Sequence, residues 1–203
     1  MTNPPFPVSS SMDPSAVAHS WARIRKAEKS LIALEAASNY EEAEEAWSDF
    51  LLAASGVYSK LEQGAKTKGS SAGWFGRKRR ERKDDPLMRY LHYARNSDEH
   101  GIERTAERGG NLVDPLTGPL KFNERHHYII ESVDGGPPIK TDGYLWGPSL
   151  QMIRVHDRRF NDYCDPPTEH LGKVLTAEDI SIMGIASLGL EYLKQLVSDA
   201  EKL

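Results

Sequence analysis

The chain has 203 residues, of which 38% are hydrophobic and 28% are charged, and its net charge is −4. This length fits a single domain, and four Trp, eight Tyr and five Phe argue against wholesale disorder. One cysteine, Cys164, excludes a disulfide framework and a zinc site built on cysteines. No window approaches the roughly 18 consecutive apolar residues of a membrane helix, so we predict no membrane span.

Residues 1–12 are rich in Pro and Ser and predict a disordered tail. They have neither the basic nor the apolar region of a secretory signal, so we expect a cytoplasmic protein. Apolar residues at helical spacing then predict one helix over about 13–37 and a second over about 39–63. The very short link between them predicts an antiparallel hairpin.

Both helices begin with capping signals. Asp13-Pro14 is typical of an N-cap followed by proline at the first helical position. Ser38 with Glu41, or Asn39 with Glu42, offers a capping box for the second helix.

The segment 64–85 has the glycine, serine and charge of a long basic loop. Residues 64–83 carry a net charge of +7, so the rest of the chain carries −11. Clustered Lys and Arg side chains release counterions from a nucleic-acid backbone, which makes this loop a candidate nucleic-acid interface. The alternative is a solvated loop whose charge serves solubility. The candidate binding residues are Trp74, Arg77, Lys78, Arg79, Arg80, Arg82 and Lys83. Trp74 and Phe75 either stack on a base or pin the loop to the body.

A third helix is predicted over about 86–108 and a last one over about 176–201, the latter capped by Thr176 with Asp179. Between them, 112–172 predicts a β-containing insertion, with strands at 126–133 and 150–157 and turns at 135–138 and 142–143. The predicted fold is mainly α: a four-helix up-down bundle, residues 13–203, with a small antiparallel β-hairpin or sheet before the last helix.

The third helix carries the most suggestive residues. Arg95 lies four residues after Leu91 and eight after Leu87, which places it on the buried stripe of that helix. Arginine rarely lies there without a carboxylate, a phosphate or a partner chain. Arg95 and His100 are five residues apart, so they converge only if the helix ends or kinks near Gly101.

The run Arg95-Asn96-Ser97-Asp98-Glu99-His100 resembles the R-x4-6-H signature of the HEPN superfamily, including the polar residue after the arginine. The resemblance implies a small bundle of four or five helices. Many members of this superfamily are metal-independent ribonucleases or RNase toxins. It also implies that the motifs of two chains meet in a homodimer. Carried over by position, Arg95 and His100 form the catalytic pair and Asn96 is the supporting polar residue.

The expected function is therefore RNA binding or metal-independent RNA cleavage, with no cofactor, and with RNA, a second copy of the chain and an antitoxin-like protein as partners. The alternative is a non-catalytic interaction protein in which Arg95 pairs with a glutamate of the second helix, His100 caps its own helix and the basic loop binds a partner.

Other combinations are weaker. His126-His127, His156-Asp157, Cys164-Asp165 and His170 match no compact metal motif, so we expect no metal. Cys164 lies in a Pro-rich turn over 163–172 with no base nearby, which favours a structural role for this turn and argues against a thiol nucleophile.

Overall fold

The structure, a computed structural model, describes residues 11–66, 69–100, 104–110, 113–114, 118–132, 139–158, 161–176 and 179–203. The side chains of 99–100, 113–114, 128, 130–132, 139–142 and 144 lie outside this description. The protein is mainly helical, with small antiparallel strand pairs between the fourth and the fifth described helix. The helices are α1 (Pro14–Ala36), α2 (Tyr40–Ala65), α3 (Gly69–Asp84), α4 (Pro86–His100) and α5 (Ile182–Glu201).

The starts of α1 and α2 confirm the predicted capping signals. The Asp13 carboxylate accepts a hydrogen bond from the Ser15 N–H at 2.8 Å, and Pro14 is the first helical residue. The Asn39 side chain accepts from the Glu42 N–H at 3.0 Å, and the Glu42 carboxylate accepts from the Ser38 N–H at 2.8 Å. These bonds satisfy amide groups that a helix start leaves without partners, so local sequence alone positions both helices.

The core lies where α1, α2, α4 and α5 pack against one another. Half of the residues of α5 are buried, which is consistent with its broad apolar circumference. The largest fully buried side chains are Trp47, Phe50, Leu51, Val57, Leu61, Leu87, Tyr90, Ile185, Leu193 and Leu196, together with Met12 and Ile24.

The predicted tail ends earlier than residue 12. Residues 1–10 lie outside the described part of the chain, but Met12 is buried and the Ser11 N–H donates a hydrogen bond to the Leu203 carbonyl at 2.9 Å. Apolar burial of Met12 beside α2 therefore brings this end of the chain into the body.

The predicted basic loop over 64–85 is wrong, because most of it forms α3. Trp74 and Phe75 are buried against the core, and the Phe75 ring lies edge-on to Tyr58 with the ring centres 6.3 Å apart. Burying two aromatic side chains outweighs the cost of the three glycines of α3, each worth about 1 kcal/mol in a helix. Packing against residues that are distant in sequence thus overrides the preference of the glycines for a loop.

The described strands of the insertion form five antiparallel pairs. They are β1 (Ala106–Gly109) with β6 (Ser149–Met152), β2 (Val113–Asp114) with β3 (Gly118–Pro119), β4 (Arg125–Ser132) with β5 (Ile139–Trp146), β7 (Val155–Asp157) with β8 (Asp162–Cys164), and β9 (Glu169–His170) with β10 (Lys173–Val174).

The predicted third helix, 86–108, is too long. Helix α4 ends at His100, and residues 106–109 form β1, whose Ala106 is paired with Met152 and buried. A Cβ atom on Gly109 would lie 2.1 Å from the Gln151 side chain, so a larger residue there would displace the glutamine that lies over this glycine.

The strand predictions are confirmed in part. The predicted strand 126–133 corresponds to β4, whereas 150–157 divides into β6 and β7. The predicted turn at Asp142-Gly143 is wrong, because these residues lie within β5 opposite Ile129 and Tyr128. The other predicted turn, 135–138, lies outside the described residues.

The last helix begins later than predicted. Thr176 and Asp179 form the expected reciprocal hydrogen bonds, including Thr176 N–H to the Asp179 carboxylate at 2.8 Å. Helix α5 itself begins at Ile182, with Ser181 as its N-cap. Within the described residues, no helix is long and apolar enough to span a membrane.

Candidate functional site

Helix α4 carries all three residues of the predicted catalytic motif. Arg95 is half-buried and Asn96 is buried, whereas the side chain of His100, the last residue of the helix, lies outside the described part of the structure. Gly101, which would allow the helix to turn, lies outside it as well. The structure therefore describes the surroundings of Arg95 and Asn96 and leaves the predicted convergence with His100 untested.

Asn96 is held in a buried polar cluster. Its Oδ1 accepts a hydrogen bond from Arg95 Nη1 at 3.2 Å, and its Nδ2 donates to Asp157 Oδ2 at 2.7 Å. Asn96 is 2% exposed and Asp157 3% exposed. A buried amide between a guanidinium and a carboxylate satisfies both and fixes their orientation. Asn96 thus orients Arg95 and joins α4 to β7.

Ser97 makes a second joint between the same two elements. Its hydroxyl donates to the His156 carbonyl at 2.6 Å and accepts from the His156 N–H at 3.2 Å. The insertion is therefore fixed to α4 at the level of the candidate site.

Arg95 also lines an open groove of about 220 Å³ between α1, α2 and α4. We call this the cationic groove, because its lining, among the residues that the structure describes, has three basic side chains and no carboxylate. Its lining residues are Arg23, Leu52, Ser55, Gly56, Ser59, Lys60 and Arg95. Among the described residues, none forms a hydrogen bond or an ion pair with the Arg23 guanidinium. Like charges that converge repel one another, and a bound anion relieves this repulsion.

Gly56 brings Arg23 into the groove. A Cβ atom at position 56 would lie 2.9 Å from Arg23 Cδ and 3.2 Å from Arg23 Nε. The arginine stem therefore lies flat on the backbone of α2, and any larger residue would displace it. Ser55 and Ser59 add hydroxyl groups to the lining, and the Ser59 hydroxyl donates to the Ser55 carbonyl at 3.4 Å.

The nearest described carboxylate on α4 is engaged elsewhere. Asp98 Oδ2 accepts a hydrogen bond from Ser48 Oγ on α2. Ser48 lies four residues before Leu52, the first α2 residue of the lining, which is about 6 Å along the helix axis. This carboxylate is therefore bound to α2 about one turn before the groove.

Sequence analysis missed the contributions of Arg23 and Lys60. Both lie on helices whose apolar stripes were predicted, but residues on two antiparallel helices come together only once the pairing is known. Gly56, a glycine in the interior of a helix rich in alanine, is the signal in the sequence, since such a glycine usually has a packing reason.

Helix α3 does not contribute to the groove, because none of its residues is in the lining. Trp74 is 8% exposed, so it pins this segment to the body and its ring is not open to a base. Arg82 is half-buried, with its guanidinium 4.5 Å from the centre of the Tyr58 ring, and it belongs to the same packing.

The remaining basic residues of α3 lie at the surface. Lys78 pairs with Glu81 at 3.1 Å, Arg79 with Glu62 at 3.8 Å and Arg80 with Asp84 at 3.6 Å. In the part of the chain that the structure describes, neither Arg77 nor Lys83 forms an ion pair. These three ion pairs partly neutralise the positive charge of the 64–83 segment.

The predicted structural turn over 163–172 reaches back to the start of α4. Asp85 Oδ1 lies 3.0 Å from His170 Nδ1, and Asp85 Oδ2 accepts from the Leu171 N–H at 2.6 Å. Burial alone would raise the pKa of Asp85, but the hydrogen bonds from His170 and from the backbone N–H groups of Leu171 and Met88 hold it below its ordinary value. The turn is fastened by a buried carboxylate.

The other residues considered for chemistry lie apart. His126 is 3.1 Å from Glu124, and His156 stacks on Tyr163 with the ring centres 4.3 Å apart. Burial raises the pKa of the Cys164 thiol, which disfavours a thiolate nucleophile. In the described residues no three His, Cys, Asp or Glu side chains are grouped closely enough to hold a metal ion.

Comparison with known proteins identifies no relative: no family model matches the chain, and neither a curated protein nor a solved structure does. The geometry around Arg95 is therefore the main indication of function.

Proposed function

We propose that this protein is a HEPN-like helical protein that binds RNA and cleaves it without a metal ion. The observation that carries the proposal is the position of Arg95: its guanidinium is oriented by a buried asparagine and lines the cationic groove. Arginine presents a planar set of donors that matches a phosphate group, and the lining formed by the described residues, with three basic side chains and no carboxylate, favours an anion.

The proposed reaction uses the 2′-hydroxyl of RNA. His100 takes the proton of this hydroxyl, the 2′-oxygen attacks the adjacent phosphorus, and the bond from phosphorus to the 5′-oxygen breaks. The products are a 2′,3′-cyclic phosphate and a 5′-hydroxyl. Arg95 stabilises the negative charge that grows on the non-bridging oxygens. Histidine suits this role because its ordinary pKa lies near neutral pH.

A homodimer completes the proposal. The leaving 5′-oxygen needs a proton, and a protonated His100 on a second chain supplies it. Two chains would then provide two arginines and two histidines, so that one histidine acts as base and the other as acid.

The test is cleavage of single-stranded RNA with EDTA present. We expect cleavage by the wild type, loss of at least about a hundredfold for His100→Ala, and a similar loss for Arg95→Gln. Arg89→Gln is the matched control, since Arg89 is an exposed arginine on the same helix and lies outside the groove lining. Full activity of both site variants, in preparations whose circular dichroism matches the wild type, would refute the assignment.

A second candidate is a non-catalytic interaction protein that binds an acidic partner through α3. The exposed Arg77 and Lys83 favour it, because neither forms an ion pair among the described residues. Under this candidate, Arg77→Glu with Lys83→Glu abolishes partner binding while the Arg95 variant leaves it unchanged. An antitoxin-like protein of acidic surface would be the partner.

A further inference from the structure

The part of the cationic groove formed by α1 and α2 has a chemistry of its own. Arg23 and Lys60 supply two positive charges, and Ser55 supplies a hydroxyl donor. The Ser59 hydroxyl donates a long hydrogen bond to the Ser55 carbonyl at 3.4 Å, which a bond to the ligand would replace. Lys60 Nζ lies 3.4 Å from Gln63 Oε1, so a neutral amide is its hydrogen-bond partner. These groups lie on the opposite helices from Arg95 and play no part in the cleavage step proposed above.

The groove has room for a phosphate group. Its volume is about 220 Å³ and it is open to the surface, so a phosphate can enter it while the rest of the ligand lies outside. The charge of the groove, rather than its size, distinguishes the end of a strand from its middle.

The charge of the groove favours a phosphate monoester over a diester. A monoester carries about −1.5 to −2 at neutral pH, whereas each diester of a nucleic-acid strand carries −1. Two cations and two hydroxyls match the dianion and its three terminal oxygens. The stem of Arg23 lies against Gly56, so the side chain loses less freedom when the anion binds.

We infer that Arg23 and Lys60, with Ser55 and Ser59, form a binding site for a terminal phosphate monoester of RNA. The inference rests on the proposed function insofar as RNA supplies this phosphate, and it names the substrate class as RNA with a phosphorylated end. Arg95 then remains for an internal phosphodiester of the same strand.

The experiment separates end recognition from cleavage. Short 2′-O-methyl oligoribonucleotides have no 2′-hydroxyl, so they bind without being cut. Each is prepared with a terminal phosphate or a terminal hydroxyl, at the 5′ or the 3′ end, with a fluorophore at the other end. Fluorescence anisotropy then gives the ratio of the two affinities for each protein variant, and inorganic phosphate serves as a competitor.

For the wild type we expect the phosphorylated strand to bind at least about tenfold more tightly than its hydroxyl counterpart, as expected for charge-assisted hydrogen bonds. Arg23→Gln should abolish this preference, and Arg23→Lys should restore part of it, because lysine keeps the charge and loses the fork. Gly56→Ala should weaken the preference several-fold by displacing the Arg23 stem. Arg25→Gln is the control: Arg25 is exposed, on the same helix and outside the groove lining, and its replacement should leave the preference unchanged.

Equal affinity of the wild type for phosphorylated and hydroxyl ends would overturn the inference, as would a preference that Arg23→Gln does not change. Competition by inorganic phosphate with no preference for phosphorylated RNA would show a site for the free anion and would also overturn it. The proposed function is tested separately. If His100→Ala cuts unmodified RNA as well as the wild type does, the proposed cleavage mechanism is wrong, whereas the binding site for a terminal phosphate is still tested by the anisotropy measurements.

Discussion

Glycine-to-alanine substitutions at two helical positions test two features of the fold, the unexpected helix α3 and the close approach of α1 to α2 at Gly64. Gly76 lies within α3, and a Cβ atom there would meet nothing within 4 Å. Gly64 lies near the end of α2, and a Cβ atom there would lie 2.3 Å from Ala16 Cβ and 3.1 Å from Met12 Sδ. The same substitution should therefore have opposite effects at the two positions.

The magnitudes follow from these distances. Gly76→Ala gains helix propensity without a clash, so stability should rise by about 0.8–1 kcal/mol, which corresponds to about 2–4 °C in Tm for a chain of this length. At position 64 two methyl carbons need about 3.5 Å or more, so α1 and α2 must separate by about 1 Å. Overpacking of this kind costs about 1–3 kcal/mol, which exceeds the reduced propensity gain near the end of a helix. Gly64→Ala should thus be net destabilising by about 1–2 kcal/mol.

The assay is reversible urea unfolding at 25 °C, followed by tryptophan fluorescence, with midpoints compared at constant slope. If Gly76→Ala is neutral or destabilising, residue 76 is not in a helix and the description of α3 fails. If Gly64→Ala is as stabilising as Gly76→Ala, the close approach of α1 and α2 at this point is refuted.

Two further predictions concern buried polar groups. Asn96→Ala should lower the free energy of unfolding by about 1.5–3 kcal/mol, because it removes a hydrogen bond to the buried Asp157 carboxylate. Urea unfolding measures this change, and a decrease of less than about 0.5 kcal/mol would contradict the prediction. The pKa of Asp85 lies below its ordinary value in the folded state, so its contribution to stability is present above about pH 4 and is lost as the pH falls through the folded pKa. The wild type should therefore lose stability more steeply below about pH 4 than Asp85→Asn does, and parallel curves in acid unfolding would show that the carboxylate contributes nothing.

The sequence predicts best where the signals are local. The N-caps at Asp13 and Asn39 and the apolar stripes of α1, α2 and α5 depend on neighbours within about four residues, and the structure places these helices close to the predicted bounds. The late start of α5 at Ile182 is the exception, since the Thr176 box forms without continuing directly into the helix.

The failures arise from contacts between residues far apart in the chain. Helix α3 forms because Trp74 and Phe75 bury against the core, and β1 forms because residues 106–109 pair with 149–152. No local pattern contains this information. In both cases tertiary packing overrides the preference of the segment itself.

The candidate site is divided in the same way. Arg95 stood out as a basic residue on an apolar stripe, and Asn96 as the polar residue that follows it in the motif. The structure adds a groove that the arginine lines and a buried carboxylate that the asparagine binds. Arg23 and Lys60 were not predicted, because their meeting depends on how α1 pairs with α2. The basic run of α3, conspicuous in the sequence, is largely occupied by ion pairs and aromatic packing.

The measurement that tests the central claim most directly is the chemistry of the RNA ends produced with EDTA present. Attack by the 2′-hydroxyl leaves a 2′,3′-cyclic phosphate on one product and a 5′-hydroxyl on the other, and end-group analysis by mass spectrometry identifies both. We predict these ends for the wild type and no product for His100→Ala. Intact RNA after incubation with the wild type, or 3′-hydroxyl and 5′-phosphate ends that form only in a parallel reaction without EDTA, would contradict the proposed function.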